Sequence, residues 1–158
     1  MPTETMTRDP ETALTLDVTL PLEPKRAFAL WSDAEHLARW WGPKNHNGQP
    51  MHAEDVEWSP SEATRWRVVL VSADGERFGQ SGHFVTVRPL KMLAFTFAWE
   101  NDGGERGADT LVEVSFDPAE GGTRVTLRQS GFADLETRDG HVEGWRECLD
   151  RLTEEAVR

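Results

Sequence analysis

The stretch from Ala27 to Pro43, AFALWSDAEHLARWWGP, carries a helix start, a helix stop and three tryptophans, and it restricts the fold more tightly than any other part of the chain. Ser32 followed by Glu35 has the pattern of a capping box, in which the hydroxyl accepts a backbone amide and the carboxylate reaches back to the cap. The spacing predicts a helix from about Asp33. Gly42 tolerates the backbone conformation that ends a helix and Pro43 cannot continue one, so Trp40 and Trp41 fall on its last turn. Neighbouring helical side chains point about 100° apart. One indole is therefore expected to anchor the core and the other, Trp41, to stand at the mouth of a pocket, where it has one apolar and one wet side.

Alternation dominates elsewhere. Leu14 to Leu20 reads LTLDVTL, with apolar residues at every second position, the period of a half-buried strand. Pro24 suits the first turn of a short helix through Trp31, and the capped helix follows directly. From about Met51 to Phe132 turn signals at Ser59–Pro60, Asp74–Gly75, Pro89, Asn101 to Gly104 and Gly121–Gly122 divide six further strands. Tight hairpins make consecutive strands antiparallel neighbours. After Phe132 the period changes: Val142, Trp145, Leu149, Leu152 and Ala156 form an apolar stripe on a long helix whose other side is charged. That stripe needs an apolar surface, and the concave face of the sheet supplies it. The expected class is α+β, a curved antiparallel sheet of about seven strands gripping a C-terminal helix, with two short helices after strand one. Residues 1–12 are expected to be a disordered tail and 13–158 the domain.

Composition limits the function. The 158 residues carry 17 Lys and Arg against 28 Asp and Glu, a formal net charge of −11, which repels phosphate backbones and argues against nucleic acid. Arg65 with Arg67 and Arg124 with Arg128 share strand faces without making a long basic stripe. No run reaches the roughly 20 apolar residues of a membrane-spanning helix, and the start has neither the apolar centre of a secretory signal nor the arginines of a transit peptide. Cys148 is the single cysteine, so no internal disulfide forms, and a cytoplasmic location is expected. The five histidines form no HxxxH pair and the Asn101–Asp109 loop does not match a calcium site, so no metal and no cofactor is expected.

Four segments carry a resemblance: AFALWSDAEHLARWWGP, GQSGHFVTVRPLKMLAFTFAW from Gly79, GGTRVTLRQSGF from Gly121 and GHVEGWRECLDRLTEEAV from Gly140. In order and spacing they resemble the START-like superfamily, also called SRPBCC or the birch-pollen-allergen fold, and within it the AHSA-type branch named after activators of the heat-shock chaperone ATPase. The likeness spans Leu14 to the end. One departure lies before the third strand, where the family often carries Gly-Gly and this chain has Ser61, Glu62, Ala63, Thr64. The resemblance implies a helix-grip fold with a cavity between sheet and long helix, used by relatives to hold lipids, sterols or polyketides, and no shared catalytic motif.

Strand parity proposes the walls of that cavity. Phe95, Phe97 and Trp99 share one face, as do Trp66, Val68 and Leu70, with Phe84 on the next strand and Val125, Leu127 and Gln129 on the last. The candidate ligand-binding set is Phe28, Trp41, Trp66, Val68, Phe84, Phe97, Trp99, Leu127, Trp145, Cys148, Leu149 and Leu152. Any of these aromatics can equally be core filling, and Cys148 reads as a buried inert thiol. The expected function is non-catalytic binding of a small hydrophobic molecule. Two alternatives remain open. A cyclase or dehydratase would need an inward titratable group, His83 or Glu113 being nearest; a co-chaperone role is weakened because full activators carry an additional N-terminal domain and only about thirteen residues precede the first strand. A homodimer is compatible with the sequence.

Overall fold

The computed structural model describes residues 12–43 and 49–158, so the expected tail at residues 1–11 lies outside the described residues. Strand β1 spans Leu14–Leu20, followed by helices α1 (Pro24–Ser32) and α2 (Ala34–Trp40). Then come β2 (His52–Glu57), β3 (Arg65–Val71), β4 (Arg77–Arg88), β5 (Met92–Trp99), β6 (Thr110–Ala119), β7 (Gly122–Ser130) and helix α3 (Leu135–Ala156). The seven strands form one antiparallel sheet in the order β1-β7-β6-β5-β4-β3-β2. Its two edges, β1 and β2, are consecutive in sequence, because α1 and α2 carry the chain across the width of the sheet. The remaining strands follow one another as a meander, as the turn signals require.

The sheet is curved, and two irregularities locate the bends. Between the pairs Phe84↔Phe95 and Thr86↔Ala94, β4 holds one residue more than β5. Between Glu54 and Glu57, β2 holds one more than β3, with Asp55 at a φ of 50°. An extra residue on one strand bends it and increases its twist. Gly82 permits a further close approach: it pairs with Trp66, and a Cβ there would overlap the Thr96 carbonyl, whose oxygen accepts from Trp66 Nε1 at 2.9 Å.

The stripe on α3 buries as its period predicts, with Trp145, Cys148, Leu149, Leu152 and Ala156 turned to the concave face and Val142 packed at its margin. Asp134 caps this helix, accepting from the Thr137 amide at 2.8 Å. That amide, helped by the Thr137 side chain, holds the Asp134 carboxyl below its ordinary range.

Three expectations are corrected here. The N-cap of α2 is Asp33, which accepts from the amides of Glu35 at 2.9 Å and His36 at 3.3 Å, while Ser32 is the last residue of α1. Two cap-forming residues stand side by side, and the length of α1 decides between them. Trp40 and Trp41 are both buried, at 0% and 2% exposure, because Trp41 has already left the helix with a φ of −71° and ψ of 117°, and helical spacing no longer separates them. The missing Gly-Gly before β3 does not remove the close backbone approach: Ala63, at a φ of 68°, donates its amide to Phe84 O at 2.9 Å, and Phe84 N donates to Thr64 O at 2.8 Å.

Candidate functional site

Between the concave face and the N-terminal half of α3 lies a cavity of about 330 Å³. The loop leaving α2 gives it Trp41, Gly42 and Pro43, the sheet gives Leu70, Gln80, Phe97 and Trp99, and α3 gives Glu136, Thr137, Gly140, His141, Gly144, Trp145 and Cys148. Its existence follows from α3. Gly140, Gly144 and Cys148 are four residues apart, so they stack on one face of the helix. Small side chains there leave the space unfilled: a Cβ on Gly140 would meet nothing within 4 Å, and one on Gly144 only the Pro43 side chain at 4.0 Å. Each mid-helix glycine costs about 1 kcal/mol relative to alanine.

Hydrogen bonds fix the indoles of the wall. Trp145 Nε1 donates to Gln129 Oε1 at 2.7 Å, Gln129 Nε2 to Thr110 Oγ1 at 2.8 Å, and Thr110 Oγ1 to the Phe97 carbonyl at 3.1 Å. One chain of polar contacts thus ties α3 to β7, β6 and β5. Trp41 Nε1 donates to Gln80 Oε1 at 2.8 Å. At the mouth, where Trp99 is 39% exposed, its Nε1 donates to His141 Nε2 at 3.0 Å. The indole can only donate, so His141 Nε2 accepts, and the ring proton sits on Nδ1, which donates to the Thr137 carbonyl at 2.8 Å.

The loop from Trp41 to Pro43 is held from below. Arg151 Nη1 donates to Gly42 O at 2.7 Å and Met51 O at 2.9 Å, and Nη2 to Arg39 O at 3.3 Å. Its contact with the Arg39 carbonyl, in the last turn of α2, also suits the helix dipole. Burial lowers the pKa of Arg151 and pushes the Cys148 thiol up to about 12. That thiol is no nucleophile at neutral pH.

The sequence profile of the family described as Activator of Hsp90 ATPase homolog 1-like protein matches residues 21–156. The chain belongs to this family. A solved structure of the AHSA1 protein from Silicibacter pomeroyi is 29% identical, with a TM-score of 0.84 over 92% of this chain and 97% of that one. Proteins from Arthrobacter aurescens (22% identical, TM-score 0.79, 94% of this chain and 87% of that one) and Chromobacterium violaceum (18%, 0.78, 90% and 95%) share the fold. No curated protein matches the chain.

In this member of the Hsp90 ATPase activator-like family, Trp41, Phe97, Trp99, Trp145 and Cys148 of the candidate set come together on the cavity. Phe28, Trp66, Val68, Phe84, Leu127, Leu149 and Leu152 do not; all seven are buried in the core. Phe28 packs edge-on against Phe116 at a centroid distance of 5.1 Å, beneath α1. Trp66 and Phe84 are covered by Trp58, whose ring lies 5.3 and 4.9 Å from theirs and whose Nε1 donates to Trp31 O at 2.7 Å. Edge-to-face rings at these distances fill the middle of the grip. Leu149 and Leu152 lie farther along α3, past the last residue lining the cavity. His83 is exposed, and Glu113 pairs with Arg128 at 3.4 Å on the outer face beside buried Val112 and Val114, so neither faces the interior.

Gln80, Glu136, Thr137, Gly140, His141 and Gly144 line the cavity and were not singled out from the sequence. Gln80 has the parity of Phe84, and the glycines recur at four-residue spacing on the helix; both signals were present.

Among the described residues no group of three or more His, Cys, Asp or Glu could hold a metal ion, and no helix is long and apolar enough to cross a membrane.

Proposed function

We propose that this protein binds a small hydrophobic molecule in the cavity between the sheet and α3. The observation that carries the reading is an apolar chamber walled by Trp41, Leu70, Phe97, Trp99 and Trp145 and kept open by Gly140 and Gly144, in a helix that alanine at those positions would stabilise. Membership of a family whose fold commonly holds hydrophobic ligands supports it. Size narrows the class: about 330 Å³ sits at the small end of the roughly 300–1,000 Å³ usual for ligand pockets, which suits one or two fused rings better than a sterol or long acyl chain.

The cyclase or dehydratase alternative loses the two groups it named, since His83 and Glu113 point outward. His141, the titratable ring on the wall, has both nitrogens engaged. The co-chaperone alternative rests on the family description alone. Native mass spectrometry of protein purified from cells, followed by organic extraction, tests the binding reading. A bound species of one- or two-ring size supports it. An empty protein whose indole N–H resonances for Trp41, Trp99 and Trp145 stay fixed when small aromatic hydrocarbons are added contradicts it.

A further inference from the structure

Resting on that reading, we infer that the ligand is an uncharged ring compound bearing one hydrogen-bond acceptor, and that Gln80 Nε2 donates to it.

An indole N–H can only donate, so the Gln80 amide must turn its oxygen to Trp41 Nε1, 2.8 Å away. The NH₂ end is thereby directed elsewhere, and it donates to no described atom. Gln80 is only 4% exposed and lines the cavity. Among the described residues the one sealed side-chain polar atom without a partner is Trp31 Nε1, so the Gln80 NH₂ keeps an opening, and the cavity is the space it borders.

The other indole donors on the wall are committed. Trp145 Nε1 serves Gln129 and Trp99 Nε1 serves His141. An amide NH₂ that opens onto an apolar chamber has no protein acceptor there, and a ligand oxygen would supply one. Charge narrows the class further. Arg151, bonded to the loop that walls the chamber, directs Nη1 and Nη2 to the carbonyls of Gly42, Met51 and Arg39, and Glu136 is among the lining residues. Among the described residues no Lys or Arg lines the chamber, so a carboxylate or phosphate inside would find no counter-charge in that wall. A ketone, ether or phenol oxygen fits, and a hydrocarbon leaves the amide unserved.

Matched probes decide the point. 1-Indanone and indane share a fused-ring skeleton and differ by one carbonyl. Their dissociation constants are measured by titration calorimetry on the wild type, on Gln80→Met, and on the double variant Trp41→Phe/Gln80→Met, which also removes the indole N–H that the single change strands. The ratio of ketone to hydrocarbon affinity is expected to fall about tenfold in both variants, the size of one lost hydrogen bond. In the wild type both probes are expected to move the Gln80 side-chain NH₂ resonances through the ring current, with an added downfield shift for 1-indanone alone from the new hydrogen bond, a readout independent of whether either variant folds. Equal ratios in wild type and a folded variant, or NH₂ resonances with no added downfield shift for the ketone, overturn the role of Gln80 while leaving the cavity reading intact. Failure of the wild type to bind either probe overturns both.

Discussion

Arg151 Nη1 lies 2.7 Å from the Gly42 carbonyl oxygen, and this contact joins the C-terminal half of α3 to the loop that walls the cavity. Gly42 itself has a φ of 133°, and a Cβ there would come within 3.1 to 3.2 Å of Leu70, Met51 O and Arg151 Nη1, so the guanidinium and the glycine fit one another. Arg151→Met strands the carbonyls of Gly42 and Met51. It is expected to destabilise the fold by about 2–3 kcal/mol, a fall in Tm of roughly 5–10 °C by calorimetry. Arg151→Lys should recover less than half, because an ammonium cannot reproduce the planar fork that reaches several carbonyls.

Cys148 carries a pH prediction. Burial raises its thiol from the ordinary 9.0 to about 12, so the unfolded chain loses this proton first. Stability from this group is therefore complete below about pH 9 and declines as pH rises from 9 towards 12. Urea midpoints between pH 8 and 10.5 should fall more steeply for the wild type than for Cys148→Ala. Iodoacetamide at pH 8 should label the native thiol far more slowly than the denatured one.

Gln129 is the buried hinge of the polar chain from Trp145 to Phe97. Gln129→Leu leaves the Trp145 N–H and the Thr110 hydroxyl without their partner at a fully buried position. A loss of about 1–3 kcal/mol in urea unfolding is expected, together with a displaced Trp145 indole resonance. A Gln129→Leu protein of wild-type stability would remove the chain from the account.

Leu90 occupies the third position of the turn Arg88-Pro89-Leu90-Lys91 at a φ of 69°, with Lys91 N bonded to Arg88 O at 2.9 Å. A left-handed residue suits glycine, and Leu90 is 41% exposed, so its side chain gives little packing in return. Leu90→Gly should stabilise the protein by roughly 0.5–1 kcal/mol.

Where one rule governed a segment, the sequence was readable. Alternation from Leu14 to Leu20 and the three-and-four spacing from Val142 to Ala156 each describe the observed element, because each has one face in the core. Legibility failed where neighbours competed. Ser32 and Asp33 both form caps, and only the length of α1 chooses between them. His83 looks inward if counted from Val85 and outward if counted from Phe84; Phe84 is the residue to count from, because it is fully buried while Val85 is 45% exposed, and alternation then places His83 and Val85 together on the outer face. The candidate site was half legible for a volumetric reason. Strand parity says which side chains face the grip, but Trp58, beyond the end of β2, covers Trp66, Phe84 and Phe95, and the cavity lies instead beside Gly140 and Gly144 of α3.

Gly144→Leu puts a side chain into the cavity from a position where a Cβ meets only Pro43 at 4.0 Å, so no backbone need move to admit that Cβ. The direct measurement is titration of wild type and Gly144→Leu with indane, followed through the indole N–H resonances of Trp41, Trp99 and Trp145, with Tm recorded for both. The cavity account predicts saturable shifts in the wild type, their loss in Gly144→Leu, and a Tm for the variant at or above that of the wild type. Equal binding by both proteins would contradict it.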